Sequence, residues 1–266
     1  MRQIKRISGI EGVAAGATAR VKLPVNRRYF ALSFFGTLAG VAAAIDTIVG
    51  RVRLYVNGLP MWDVPCTSIL AACAREGRTL AVGELPLDFA DPSRADKIDE
   101  QVTAWDLFGE TSFEVELEIL SPVGAIAIQG LCEFDYGQSM VNGKPLKQIV
   151  KRFTIAKNAN AGLNDLDNLP IRDAIQRLTF FAASLPTDYQ IDADGNRVLE
   201  ATAAQLNSIY AKHGAVVVAG STPIRFDYTE RIDDFLVVKK DLNVRFSVAA
   251  GGLVTVVAEV LAPGFY

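Results

Sequence analysis

The chain spells one frame twice. "AGATARVKLPVNRRYFALSFF" begins at Ala15 and "AGLNDLDNLPIRDAIQRLTFF" at Ala161, and both read Ala-Gly, six residues, Leu-Pro, nine residues, Phe-Phe. At an offset of 146 residues, seven of 21 positions are identical: Ala15/Ala161, Gly16/Gly162, Leu23/Leu169, Pro24/Pro170, Leu32/Leu178, Phe34/Phe180 and Phe35/Phe181. A second block matches at an offset of 137 and pairs Gly58 with Gly195, Ala74 with Ala211, Gly77 with Gly214, Gly83 with Gly220, Pro86 with Pro223 and Phe89 with Phe226. Asn57/Asp194, Asp63/Glu200, Arg75/Lys212 and Leu87/Ile224 are conservative pairs in the same block. The change of offset places nine extra residues in the first copy, between Phe35 and Asn57, and Asp106-Leu107 against Asp241-Leu242 reads as a last trace of the match. The period is far too long for a solenoid repeat and is the size of a domain. Two copies of one fold are expected, 1–138 and 139–266, joined where "YGQSMVNGKPLKQIV" carries turn signals.

Composition bounds the class. Of 266 residues, 50% are hydrophobic, enough for a sizeable core in each copy. The net charge is −3, so no basic face is advertised and direct nucleic-acid binding is not expected. Three cysteines, an odd number, with no apolar leader after the basic N-terminus point to reduced thiols in a cytosolic folding compartment. The uncharged stretch "FALSFFGTLAGVAAAI" (30–45) has 16 residues, short of the roughly 20 that a membrane-spanning helix needs. It reads as a buried strand followed by a small-residue loop.

Strand patterns dominate. "FEVELEI" (113–119), "ARVKL" (19–23), "RVRLYV" (51–56) and "VRFSV" (244–248) alternate apolar and polar residues, the mark of an antiparallel strand with one wet face. "GLVTVVAEVL" (252–261) is apolar nearly throughout and reads as a strand buried on both faces. Asn57-Gly58 and Asp194-Gly195 predict hairpin turns, because both residues of each dipeptide tolerate positive φ. A short strand and then a helix follow in each copy. The first helix is expected over Thr67–Glu76. The second lies in "EATAAQLNSIYAKHG", with Ala203, Leu206, Ile209 and Tyr210 on one face and Gly77 and Gly214 at the helix C-terminal positions. The fold class expected is all-β: two tandem eight-stranded jelly-roll sandwiches with one short helix in each.

Catalytic constellations are hard to assemble. His213 is the only histidine and sits at a helix end, where a surface role is the simple reading. Cys66 and Cys73 are seven apart and do not make a zinc pair; they read as packing residues of one helix face. "DADGNRVLE" offers Asp192, Asp194 and Glu200 as weak metal candidates, but the calcium-loop spacing fails and a solvated hairpin is the plainer reading. "DDF" (233–235) and "DPSRADKIDE" (91–100) read as polar loops. No catalytic and no cofactor-binding residue is assigned, and a structural calcium is left open.

"VAAG" (13–16) ahead of a strand ending in "KLP" (22–24), then Tyr29, and "LNDLDNLPIRDAI" (163–175) at the entry to the second half resemble the double jelly-roll major capsid proteins of membrane-containing icosahedral bacteriophages, of the corticovirus and tectivirus type. The resemblance implies a homotrimer whose six sandwiches make a pseudo-hexagonal capsomer. It further implies neighbouring capsomers and other capsid proteins as partners, a shell around an internal membrane, and assembly in the host cytoplasm. The extra Gly/Ala-rich residues of the first copy are expected at a trimer or inter-capsomer contact. "MRQIKRIS" reads as an N-terminal tail; Arg2, Lys5 and Arg6 would each add about 1 kcal/mol of attraction to an anionic bilayer.

Two other readings compete. A carbohydrate- or receptor-binding double β-sandwich, such as a spike or lectin-like module, needs aromatic platforms. Trp62 and Trp105 are the only tryptophans and read better as core. A carbohydrate-active enzyme on the same scaffold needs a carboxylate pair in a cleft, and nothing in the sequence singles one out.

Overall fold

In the computed structural model the described residues are 1–91, 102–138, 140–141, 144–145, 148–167, 169, 173–229 and 231–265. Of the readings above, Pro170, most of the 91–100 loop and parts of the 136–150 connection lie outside them. The chain forms two compact units. The first is Met1–Cys73 with Thr79–Lys151 and Ala262–Tyr266; the second is Ala74–Arg78 with Arg152–Leu261.

The first unit is built from β1 (Gln3–Ile7), β2 (Thr18–Leu23), β3 (Arg28–Leu38), β4 (Val49–Val56), β5 (Leu59–Pro65), α1 (Cys66–Arg75), β6 (Glu84–Asp88), β7 (Phe113–Ile119) and β8 (Ile126–Asp135). One sheet runs β1-β8-β3-β6 and the other β2-β7-β4-β5, all pairs antiparallel. That order is the eight-stranded jelly roll. The alternation in "FEVELEI" is realised residue by residue: Phe113, Val115, Leu117 and Ile119 are buried and the three glutamates half-exposed. The glutamates answer cations on the flanking strands, Arg20 to Glu116 at 2.8 Å and Arg53 to Glu118 at 3.0 Å. Cross-strand pairs of this kind add a few tenths of a kcal/mol each and fix the register.

The second unit repeats the plan with β9 (Ile149–Ala159), β10 (Gly162–Leu166), β11 (Ala174–Ala182), β12 (Asp188–Ala193), β13 (Asn196–Thr202), α2 (Ala203–Lys212), β14 (Ser221–Arg225), β15 (Leu242–Val248) and β16 (Gly252–Ala262). Its sheets run β9-β16-β11-β14 and β10-β15-β12-β13. Phe180, Tyr189 and Phe246 pack ring to ring at its centre, among Ile191, Val244, Val256 and Val260. α2 begins at Thr202, whose side chain accepts from Gln205 N while the Gln205 amide accepts from Thr202 N, a capping box. It ends at Gly214, held at φ +80 as Gly77 is at +69.

Four expectations need correction. The N-terminal segment is not a tail: Gln3–Ile7 pairs with Gly130–Phe134 as the first strand of the jelly roll, because its Ile7 completes the inner face. Ile209 does not share the buried stripe of α2; Leu206 and Tyr210 are buried and Ile209 is 41% exposed, lying about 100° around the helix from Tyr210. The counterpart of Asp241-Leu242 is Ser112-Phe113 rather than Asp106-Leu107, since β7 begins at Phe113 as β15 begins at Leu242. The first helix starts at Cys66, one residue ahead of its expected position.

The paired phenylalanines divide as adjacent strand residues must. Phe34 and Phe180 are fully buried, while Phe35 and Phe181 point to the opposite face of their sheets and stay half-exposed. On that opposite face the second unit buries a network of charges. Arg177 donates to Asp227 at 2.9 Å and reaches Glu76 at 3.4 Å and Glu259 at 3.7 Å. Arg225 donates to Asp227 at 3.2 Å, Gln176 to Asp227 at 3.0 Å, and Arg152 pairs with Glu259 at 3.0 Å. Arg75 donates to Ser221 Oγ at 3.0 Å; burial and the neighbouring Arg177 push its guanidinium down to about 10, so it remains charged at neutral pH.

Candidate assembly surfaces

Each unit has two ends with different chemistry. At one end the hairpin β4–β5 turns at Asn57-Gly58 and the hairpin β12–β13 at Asp194-Gly195, all four residues at positive φ. The first turn residue does the same work in both. Asn57 Oδ1 accepts from Thr111 N, Thr111 Oγ1 and Ser112 N, and Asn57 N donates to Ser112 O. The Asp194 carboxylate accepts from the backbone N–H groups of Lys239, Lys240 and Asp241, and Asp194 N donates to Asp241 O. Each turn thus clasps the loop that leads into β7 or β15. These donated hydrogen bonds hold the Asp194 carboxyl below the usual carboxylate range, Lys240 N and Lys239 N contributing most.

The metal candidates sit here, and each is turned to a donor rather than to the others. Asp192, on β12, pairs with Arg197 and with Arg245 at 2.6 Å. Glu200, on β13, takes Arg197 Nη1 at 2.8 Å. Arg197 beside Asp192 lowers that carboxyl further. Among the described residues no group of three or more His, Cys, Asp or Glu gathers around a common point. His213 caps α2 with its backbone and stacks edge-on to Tyr228 at 5.2 Å. The three cysteines are buried, and burial pushes the Cys66 thiol up to about 12. Trp62 and Trp105 lie in the core, 6.0 Å apart and edge to face, so neither presents a platform to a sugar.

The other end carries no such polar clasp. In the first unit β3 runs to Leu38 and folds back through Ala39-Gly40 onto the two-residue strand Val41–Ala42. Residues 30–45 therefore form strand and hairpin, and among the described residues no helix is long and apolar enough to cross a membrane. Ala39 N donates to Ala125 O in the β7–β8 turn at 2.7 Å, and Gly36 N donates to Gly83 O at 2.9 Å. Three exposed apolar side chains lie on the segments so joined: Val41, Val82 and Val123 are 69%, 68% and 95% exposed. The extra residues of the first copy are thus an apolar projection held by the neighbouring turns. The corresponding end of the second unit has Ala182, Ala183, Ser184, Ala250, Gly251, Gly252 and Leu253 around a surface hollow of about 310 Å3. An apolar cluster of this kind on a surface marks a place of association.

Residues 4–132 match the model of the viral coat protein P2 N-terminal domain, and residues 148–264 that of its C-terminal domain. The chain belongs to the P2 family of viral coat proteins. Known structures agree on the fold of this coat protein. The major capsid protein P2 of bacteriophage PM2 superposes with a TM-score of 0.87 at 17% identity, covering 98% of this chain and 97% of that one. The STIV major capsid protein gives 0.73 at 12% identity, covering 100% and 98%. The PBCV-1 capsid gives 0.62 at 9% identity, covering 100% and 96%. No curated protein matches the sequence. The expected all-β double jelly roll and viral capsid role are met, and the comparisons do not favour the lectin or spike reading. As a P2 coat protein the chain is part of the virion shell.

Proposed function

We propose that this coat protein is the major shell subunit, a homotrimer whose six sandwiches form a pseudo-hexagonal capsomer that tiles an icosahedral shell around an internal membrane. The observation that carries the reading is the pair of complete jelly rolls in one chain, each with exposed apolar residues at the same end of its sandwich. Duplication provides two near-equal wall units, so three copies supply six. Capsomers of the same kind and other capsid proteins are the partners. Folding and assembly take place in the host cytoplasm, in keeping with the free buried thiols. The acidic balance, net charge −3, argues against direct nucleic-acid binding by the subunit. With Gln3–Ile7 paired as an edge strand of the first sandwich, membrane contact is not assigned to a basic tail.

Light scattering on the purified chain tests the stoichiometry. A trimer of a 28.7 kDa chain weighs about 86 kDa, and electron microscopy is expected to show pseudo-hexagonal blocks or shells. A strict monomer that binds a glycan would overturn the reading. Removing residues 39–44, the part of the insertion that lies at the surface while Ile45 stays in the core, tests the tip. Trimers that no longer build shells, or chains that no longer trimerise, are expected; unchanged particles would remove the tip from assembly.

A further inference from the structure

The two units present the same sheet face in two states. On β11 the outward residues are Arg177, Thr179 and Phe181; their sheet partners are Glu259, Val257 and Thr255 on β16 and Arg225, Pro223 and Ser221 on β14. On β3 the equivalent residues are Ala31, Ser33 and Phe35, with Glu133, Leu131 and Gln129 on β8 and Asp88, Pro86 and Glu84 on β6. In the second unit Arg177, Thr179, Val257, Glu259, Arg225 and Ser221 are all buried. In the first unit Ala31, Ser33, Phe35, Leu131, Glu133, Glu84 and Asp88 remain half-exposed and Gln129 exposed. Phe35 and Leu131 there line a surface groove of about 420 Å3 with Arg6, Ile7 and Ile10.

In the second unit residues 75 and 76, at the end of α1, lie against this face. Arg75 lies buried against it and donates to Ser221 Oγ at 3.0 Å, Glu76 reaches Arg177, and Arg75 O accepts from Val216 N. The duplication gives that end a twin. Arg75 corresponds to Lys212 at the end of α2, and Ser221 corresponds to Glu84 at the same offset of 137 residues. Lys212 is exposed and Glu84 half-exposed. The pair that is Arg75 and Ser221 in one case is a cation and a carboxylate in the other. One such contact is made within the chain, and the equivalent helix end and sheet face carry opposite charges, the Glu84 carboxylate also accepting from Ala81 N at 3.0 Å.

We propose that the end of α2 of one copy docks on the β1-β8-β3-β6 face of a second copy of this chain, with Lys212 paired to Glu84. The contact joins two different surfaces, so it propagates from copy to copy and must close into a ring. Closure after three copies rests on the trimer reading above. The exposed Ile209, Val216 and Val217 around the α2 end supply apolar cover for Phe35 and Leu131. The ion pair sets register and specificity between copies more than it sets affinity.

The test places cysteines at the pair and reverses its charges. The native cysteines are buried, so Lys212→Cys with Glu84→Cys, mildly oxidised, is expected to give covalent ladders closing at a trimer on a non-reducing gel, while either cysteine alone gives none. Lys212→Glu and Glu84→Lys, each checked for native circular dichroism, are each expected to convert the oligomer to monomer, and their combination to restore it. A wild-type trimer with no cross-link, and with both reversals still trimeric, overturns this contact and leaves the trimer standing. A cross-linked ring of another size upholds the contact and overturns the trimer. A monomer that does not cross-link overturns both.

Discussion

Arg177 and Asp227 face each other at 2.9 Å with 2% and 1% of their side chains exposed. Asp227 also receives Arg225 and Gln176. The first unit has Ala90 at the position equivalent to Asp227, packed with Phe30 and Ala104 in a small apolar cluster. One fold therefore fills the same place with hydrocarbon in one copy and with ions in the other. Buried charges hold together only while each keeps its partners, because the low-dielectric interior makes an unpaired ion costly.

Asp227→Asn is accordingly expected to destabilise the protein by about 3–5 kcal/mol, since it removes the charge that Arg177 and Arg225 share. Replacing Arg177 and Arg225 by Met together with Asp227 by Leu is expected to cost less, since no member of that trio is left buried without its counter-ion. Urea denaturation of the two variants beside the wild type measures the difference; equal losses would mean that the network is not energetically coupled.

The clasp at Asp194 makes stability acid-sensitive. Its carboxyl is held below the ordinary value by backbone N–H donors, so the folded state favours the ionised form. That stability is present above the unfolded pKa, about 3.9, and is lost as pH falls through the lower folded pKa. Asp194→Asn keeps an acceptor oxygen without the titration. Its melting temperature is expected to depend less on pH between neutrality and the acid range than that of the wild type, measured by thermal melts at stepped pH.

Gly83 is held at φ +84, and a Cβ there would lie 2.5 Å from Gly36 O and 3.1 Å from Ala43 O. Both obstacles are backbone and cannot rotate away. Gly83→Ala is expected to cost about 2–3 kcal/mol through clash and left-handed strain. It should also loosen the tip before the core, seen as faster amide exchange at 36–45 than at 113–119. Protection that is unchanged at both sites would show the turn to be tolerant.

The buried thiols predict inertness. Burial raises Cys66 to about 12 and raises Cys132 as well, so little thiolate exists near neutral pH. Ellman's reagent is expected to label none of the three cysteines in the native protein and all three after unfolding in guanidinium. Rapid native labelling of one of them would reveal local opening of its strand or helix.

Much of the fold is legible in the residues themselves. Alternation in "FEVELEI" and "VRFSV", the Asn57-Gly58 and Asp194-Gly195 turns, and the helix-ending Gly77 and Gly214 are local rules, satisfied within a few residues. The duplication is legible too, because both copies obey those rules at the same places. Other features escaped because they are long-range. "QIKRI" is too short and too charged to announce a strand, and only Gly130–Phe134 beside it makes it the first of eight. Glu259 sits in an apolar run whose pattern hides its buried partners Arg152 and Arg177. Asp192, Asp194 and Glu200 look alike as neighbouring carboxylates, and the donors that engage them come partly from Lys239–Arg245, some 40 to 50 residues further along. Periodicity and turn chemistry determine which segments become strands. Which charged residues are buried, and which faces are left for another subunit, depend on the segments that chain folding brings together, and only the tertiary structure decides that.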